Sequence, residues 1–378
     1  MLNIGIIGIG NTGNQIALLA NQKLSVPVLC INSSEKDLET IPNNIPKRLL
    51  KDKTGLSLGA GKDRKTAKKL LKESLNNLLS DDEVTGMIRN LDNLYIISST
   101  GGGTGSGTAP LMYEIIKKAF DVNVILVGVL PTNEETLDSQ LNTIGYLDEL
   151  YNILDNPTYM LYDNSKLDIP YHDLLQKVNN EIVDDINVMR CMYNISTNLD
   201  SIDDKDAMRI LSTPGRLLVS RTENIRDKDI DSSDKIESLI INSIKQSSCV
   251  ELQRDKNLVA RGLICNISED LSAVLNSSLP KINDVIGEPL KAFKHIYINE
   301  NNEENNIYTI MAGLSQVKDR LEIIESRVEA IQEKRKDKDV IGNDVFSRFS
   351  SLQDELSIED EEIDDTPINP ADIFNKFM

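Results

Sequence analysis

Residues able to do chemistry concentrate in three places. The first is Gly8-Ile9-Gly10-Asn11-Thr12-Gly13-Asn14-Gln15, which follows the apolar run Leu2–Ile7 and opens a helical pattern. A GxGxxG spacing between strand and helix lets main-chain N–H groups and a helix N-terminus face a phosphate. The second is Ser98-Ser99-Thr100-Gly101-Gly102-Gly103-Thr104-Gly105-Ser106-Gly107-Thr108, again between an apolar run and a helical pattern. Five glycines in seven residues are conformationally costly. They mark a place where backbone must come close to a ligand, and the hydroxyls of Thr104, Ser106 and Thr108 add donors for phosphate oxygens or a metal. The stretch has no GK[ST] lysine, so it is not a Walker-type loop. The third is Asn198-Leu199-Asp200-Ser201-Ile202-Asp203. Taken alone, Asn and Asp here read as ordinary turn chemistry.

These loops need elements to hold them. Leu2–Ile9, Val26–Ile31, Leu94–Ser98, Val122–Leu130 and Thr158–Tyr162 are apolar, β-branched runs of strand length. Helical patterns at Asn14–Gln22, Asp63–Leu79, Gly107–Phe120 and Glu134–Leu154 separate them. Continuously apolar strands alternating with helices predict a doubly wound, parallel α/β domain. Tyr171, Leu174, Leu175, Val178, Ile182, Ile186, Met189 and Met192 keep three-and-four spacing after Pro170, which predicts one long helix. A second, smaller α/β domain follows. Its strand-like runs are Arg216–Ser220, Leu258–Cys265, His295–Ile298 and Ile307–Met311, and its helices Lys235–Ser247 and Glu269–Val285. Another helix carries Leu314, Val317, Leu321, Ile324, Val328 and Ile331 as its apolar stripe, with Lys318, Asp319, Arg320, Glu322, Glu325, Arg327 and Glu329 on its polar face.

The expected organisation is a nucleotide-binding domain over 1–170, a central helix and loop over 171–199, a C-terminal domain over 200–313, a helix over 314–336 and an acidic tail over 337–378. Twelve acids against three bases in that tail argue for a disordered tether. Its last residues, from Ile368, turn apolar again and suit a short docking peptide.

Composition narrows the field. A net charge of −19 disfavours direct nucleic-acid binding, which rests on Lys and Arg neutralising phosphates. No apolar run approaches the roughly 18 residues of a membrane span. The four dispersed cysteines are expected to be reduced thiols of a cytoplasmic protein. With only His172 and His295, a histidine-based metal site or triad is disfavoured.

The stretch Gly101–Gly107, GGGTGSG, resembles the signature loop of the tubulin/FtsZ superfamily of polymerising GTPases. Gly10-Asn11-Thr12-Gly13-Asn14-Gln15 is similar to the tubulin first loop, and Gly59-Ala60-Gly61-Lys62 with the basic helix after it resembles the FtsZ segment near the terminal phosphate. The resemblance runs from Leu2 to about Lys336. It implies the tubulin/FtsZ fold, binding of GTP or GDP, and Mg²⁺ held mainly through phosphates and water. It further implies that Asp200 and Asp203, with Asn198, orient the attacking water for the nucleotide of a neighbouring subunit. Glu135 then falls in the ribose loop, and Asn164 and Asn180 on guanine contacts, an amide offering donor and acceptor together. Where FtsZ has an arginine, this chain has Ser139.

Within the superfamily the GNQ first loop, the NLDSID loop, the long last helix and the charged tail look most like TubZ, the plasmid and phage branch. That implies self-assembly into head-to-tail filaments that drive DNA segregation, with a TubR-like DNA-binding adaptor on a centromere-like site gripping the C-terminal helix or tail. FtsZ-like cell division is the alternative. A nicotinamide-dependent dehydrogenase using Glu35 or Asp37 leaves GGGTGSG unexplained, and a filament former without turnover is the non-enzymatic rival.

Overall fold

The computed structural model describes residues 1–55, 57, 59–192, 197, 199–226, 232–252, 257–299, 305–336 and 370–377. The amino-terminal strands are β1 (Ile4–Ile9), β2 (Val28–Asn32), β3 (Lys47–Leu49), β4 (Asn93–Ser99), β5 (Asn123–Leu130) and β6 (Thr158–Asp163). They pair in parallel in the order β3-β2-β1-β4-β5-β6. Every residue of β1, β2 and β6 is buried, as strands covered on both faces require.

Helices lie on both faces. They are α1 (Gly10–Leu24), α2 (Glu35–Glu39), α3 (Arg64–Leu79), α4 (Asp82–Arg89), α5 (Thr104–Ala119), α6 (Leu137–Asp148) and, after a π-helical turn at Glu149–Ile153, α7 (Tyr171–Cys191). One apolar cluster sets Ile16, Ala17 and Ala20 of α1 with Val178, Ile182 and Ile186 of α7; another gathers Leu71, Leu75, Leu111 and Ile115 of α3 and α5. Helix starts follow local chemistry. Asp63 accepts from the Lys65 and Thr66 amides to cap α3, and Asp81 caps α4 in the same way.

After α8 (Asp204–Leu211) come β7 (Gly215–Ile225), α9 (Ser233–Gln246), β8 (Ala260–Ile267), α10 (Glu269–Ile286), β9 (Lys291–Ile298) and β10 (Asn305–Leu314). These strands extend the same sheet in the order β7-β10-β8-β9, with β10 antiparallel to both neighbours. The two halves meet where β6 pairs with β7 through Thr158–Gly215 and Tyr159–Arg216. The fold is thus mixed α/β, mainly parallel, in one ten-stranded sheet.

Helix α11 (Lys318–Lys336) packs on α6. Within it Arg320, expected on the polar face, is buried at 6% exposure. It lies three residues after Val317 and four before Ile324, squarely on the buried stripe. A second difference concerns the tail. Residues 370–377, expected as the apolar end of a disordered tail and as a short docking peptide, form helix α12 (Pro370–Phe377) with Ile373, Phe374 and Phe377 buried. Three apolar side chains at three-and-four spacing find a covered place there; the remainder, 337–369, lies outside the described residues. Burial pushes the thiols of Cys30, Cys249 and Cys265 up to about 12, which keeps them unreactive. Among the described residues no helix is long and apolar enough to cross a membrane.

Candidate functional site

In the strand order 3-2-1-4-5-6 the winding reverses between β1 and β4, and open α/β sheets bind ligands in the crevice beyond the carboxyl ends of such strands. Both glycine stretches sit there. Helix α1 begins at Gly10 itself and α5 at Thr104, so Gly10, Asn11, Thr12 and Gly13, and likewise Thr104, Gly105 and Ser106, are in first turns. The first N–H groups of a helix have no partner within it, and they carry the positive end of its dipole. Two such ends side by side form an anion cradle made of backbone.

The glycines let the pieces come together. Gly10 has φ +73°, and a side chain on it would meet the Gly105 nitrogen at 3.3 Å, so the two loops touch. A Cβ on Gly103 would lie 2.7 Å from Lys62 Cα, which brings the Gly59-Ala60-Gly61-Lys62 turn against the second loop. Gly102 by contrast has nothing within 4 Å of that position and faces open space. Asn14 is 3% exposed; its amide donates to the Ile31 carbonyl at 3.3 Å while its Oδ1 has no partner. Asn11 and Gln15 are exposed and joined at 3.3 Å.

Some hydroxyls turn elsewhere. Ser106 donates to the Gly102 carbonyl and Thr108 to that of Thr104 (2.7 Å), so both are engaged in closing the first turns of α5. This departs from the expectation that they donate to phosphate. The physical reason is that both lie inside the helix, where back-bonding to a carbonyl four residues earlier is local. Thr104 instead meets Ser33 at 2.6 Å.

Of the residues expected at ribose and guanine, Glu135 and Asn164 lie on the rim formed by the segments that follow β5 and β6. Glu135 accepts from the Thr132 amide at 3.3 Å. Tyr171, at the start of α7, has its hydroxyl pushed up by burial and then by the charge of Glu135. Asn164 hangs from the Leu130 carbonyl by its amide N–H (3.3 Å) and keeps a buried, unpartnered Oδ1. Asn180 is half-buried on α7 and donates to the Gln176 carbonyl at 2.7 Å. Where the resemblance implies an arginine, Ser139 accepts from the Lys62 ammonium at 3.3 Å, which also reaches Thr136 at 3.0 Å. A cation therefore arrives from the 59–62 turn.

Two residues of this rim escaped the sequence reading. Asn142 donates to the carbonyls of Lys62 (2.9 Å), Gly101 (3.2 Å) and Gly102 (3.3 Å), tying the 59–62 turn and the second glycine loop to α6. Arg320 donates to Asp163 (2.8 Å), Asn133 (3.0 Å) and the Pro131 carbonyl (3.1 Å), so α11 clamps the loops after β5 and β6. The available signals were an amide among the buried positions of α6 and a cation on the stripe of α11.

The acidic loop is far from the cradle. Helix α7 leaves the β6 end and runs about 30 Å before its Arg190 carbonyl accepts from Leu2, at the opposite end of β1. Asp200 then pairs with Ile296 of β9, and the Ile202 amide donates to His295 Nδ1 at 3.1 Å. Strand β9 is the sheet edge, seven strands from β1, on the order of 30 Å. Asp200 and Asp203 are exposed, and Asp203 caps α8 through the Asp206 amide at 2.8 Å. Asn198 lies outside the described residues. The helix between the two regions is locked to the second half. Asp185, raised well above the carboxylate range by burial and then by Glu181, receives the Tyr162 hydroxyl (2.8 Å) and Arg221 (3.0 Å). A cavity of about 710 Å³ opens near Asn3, Asn21, Asn90 and Arg190, away from both glycine loops. It lacks their converging helix ends, so it is not the candidate site.

Residues 3–169 match the tubulin/FtsZ family, GTPase domain. The tubulin-like protein CetZ of Pyrococcus furiosus is 24% identical over 372 residues, 95% of this chain and 98% of its own. Among solved structures, a GTPγS-form protofilament of TubZ from Bacillus thuringiensis serovar israelensis superposes with TM-score 0.70 at 19% identity, over 90% of this chain and 95% of that one. TubZ of Clostridium botulinum phage c-st gives 0.69 at 20%, over 88% and 98%. With its paired glycine loops at the sheet's switch point, the chain matches the GTPase domain of the tubulin/FtsZ family over residues 3–169 and has the tubulin/FtsZ fold.

Proposed function

We propose that this GTPase binds GTP in the cradle of Gly10–Gly13 and Gly101–Ser106 and hydrolyses it only at a head-to-tail joint between copies. The observation that carries this is the separation of Asp200 and Asp203 from their own chain's cradle by the length of α7. Acids that cannot reach their own phosphates can serve those of the next copy. Such a contact is heterologous and does not close, so it builds a filament.

The residues then have distinct tasks. First-turn N–H groups of α1 and α5 hold the phosphates, and Asn142 fixes the second glycine loop and the Lys62 turn against α6. Lys62, beside Ser139 and Thr136, places a cation near the ribose side, Glu135 takes the ribose, and the unpartnered Oδ1 of Asn164 with Asn180 takes guanine. Bound Mg²⁺, held by phosphate oxygens and water, would offset phosphate charge. Asp200 and Asp203 of the neighbour, with Asn198, orient water for in-line attack; positioning is most of what phosphoryl transfer asks of a protein.

The cargo reading follows the TubZ likeness and the long α11: segregation of plasmid or phage DNA, through a DNA-binding adaptor gripping the C-terminal region rather than through direct DNA contact. The full-length similarity to CetZ favours a second reading, a CetZ-type tubulin-like protein. The test of the shared core is phosphate release against protein concentration, with light scattering alongside. Turnover per chain should rise steeply above a threshold at which scattering appears. Full turnover by single chains below that threshold would overturn the trans assignment.

A further inference from the structure

Helix α12 sits on α5 and the π-helical turn, with Lys68 and Lys72 of α3 reaching its Phe377 and Phe374. Ile373, Phe374 and Phe377 are inside it, at 3%, 2% and 4% exposure. Lys72 places its ammonium 5.6 Å from the centre of the Phe374 ring. The end of α12 is held by a buried cation: Lys68, 8% exposed, donates to the Phe377 carbonyl, the arrangement a helix C-terminus favours.

Lys68 does more than anchor the helix. The same ammonium pairs with Glu149 Oε1 at 2.7 Å, and Glu149 Oε2 pairs with Arg64 at 2.6 Å. Arg64 donates to the Ser106 carbonyl at 3.1 Å, in the first turn of α5. A chain of charged contacts therefore links the docked helix to the second glycine loop. Its middle member opens a π-helical turn, a device that recurs at functional sites.

An eight-residue helix has little stability in water by itself, so α12 depends on this dock. Charge favours its delivery. Residues 337–369 hold eleven acids and two bases, while α3 carries Arg64, Lys65, Lys68, Lys69 and Lys72 within nine residues. The 33-residue connection spans up to roughly 110 Å, ample to return to its own α3.

We propose that this surface is a regulatory dock for the chain's own residues 370–377. Docked, the segment withholds its Ile373, Phe374 and Phe377 face from any outside partner and steadies the glycine loop through Lys68, Glu149 and Arg64. Capture by a partner and docking are then mutually exclusive, and removal of the segment is felt at the cradle. Only this last step rests on the nucleotide reading given above.

The first measurement uses the unmodified full chain without nucleotide. Amide hydrogens of residues 373–377 should exchange at least tenfold more slowly than in a synthetic peptide of residues 366–378, and equally slowly on twentyfold dilution. Exchange at the peptide's rate overturns the dock. Protection lost on dilution overturns the assignment to the same chain, because a neighbour's segment would then be the occupant. In the second measurement the dye-labelled peptide is added to a full chain bearing Phe374→Asp and Phe377→Asp. It should bind at least tenfold more tightly than to the unmodified chain, and equal or absent binding overturns the proposal. The exchange arm needs no variant, so it decides even where the double variant does not fold. Finally, GTPγS should bind the opened chain at least threefold more weakly. Unchanged affinity overturns the coupling, while GTPγS bound by neither chain overturns the nucleotide reading and leaves the dock to the first two arms.

Discussion

The two ends of α7 are built on opposite plans. At its start, beside β6, glycine loops, buried amides and helix N-termini converge with sub-ångström tolerance: a single methyl on Gly103 would clash with Lys62 backbone. Past its far end, Asp200 and Asp203 stand exposed on a loop tied to strand β9 by a backbone pair and one histidine. In the proposed reading one end holds the polyphosphate, and the other supplies carboxylates without a cradle. Under the proposed function each copy would carry two half-sites, kept apart by the length of α7.

The comparison can be broken at its acidic end first. Asp203→Asn, which keeps an amide oxygen to cap α8, should lower phosphate release by about 10²–10⁴-fold with GTPγS affinity unchanged in a filter-binding assay. Mixing it with a Gly103→Val chain, itself poor at binding nucleotide, should restore part of the activity that neither has alone. Failure of the mixture to exceed the sum of its parts argues against a shared site.

At the cradle end, Arg320→Ala leaves the carboxylate of Asp163 buried without its cation. It should cost about 3–5 kcal/mol in a denaturant titration. Gly103→Ala should weaken GTPγS at least tenfold, since Lys62 and the loop must part to admit the methyl. The smallest effect sharpens the first: Asp203→Ala should be about 1 kcal/mol less stable than Asp203→Asn, because only the alanine loses the helix cap. Equal melting of the two variants would show that the cap carries no weight.

Much of this was legible beforehand where periodicity was long. The continuous apolar runs located β1, β2, β4, β5 and β6, and the stripe from Tyr171 located α7 to within a residue. Short elements escaped. Strand β3 is only Lys47-Arg48-Leu49, half-buried at a sheet edge, with no alternation long enough to register. Helices α2, α4 and α8 span one or two turns and show mainly their caps. The glycine loops were visible as composition, whereas the tie of the second one to α6 through Asn142 was not, because the residue looks polar in a helix that looks amphipathic. The apolar end of the tail was visible, whereas its place on the chain itself was not, since the surface that stabilises α12 is more than two hundred residues away in sequence.

One sheet spans the molecule, yet β6 and β7 share only two paired positions, fewer than any other neighbours in it. If copies stack end to end as proposed, a pull handed from one to the next would pass between the halves through this stitch, the Tyr162–Cys249 bridge beside it and the contacts of α7. Tension is then a second input besides nucleotide. It would act on the angle between the halves, with the buried Arg216 and the Asp185–Arg221 pair as the points that give way or hold.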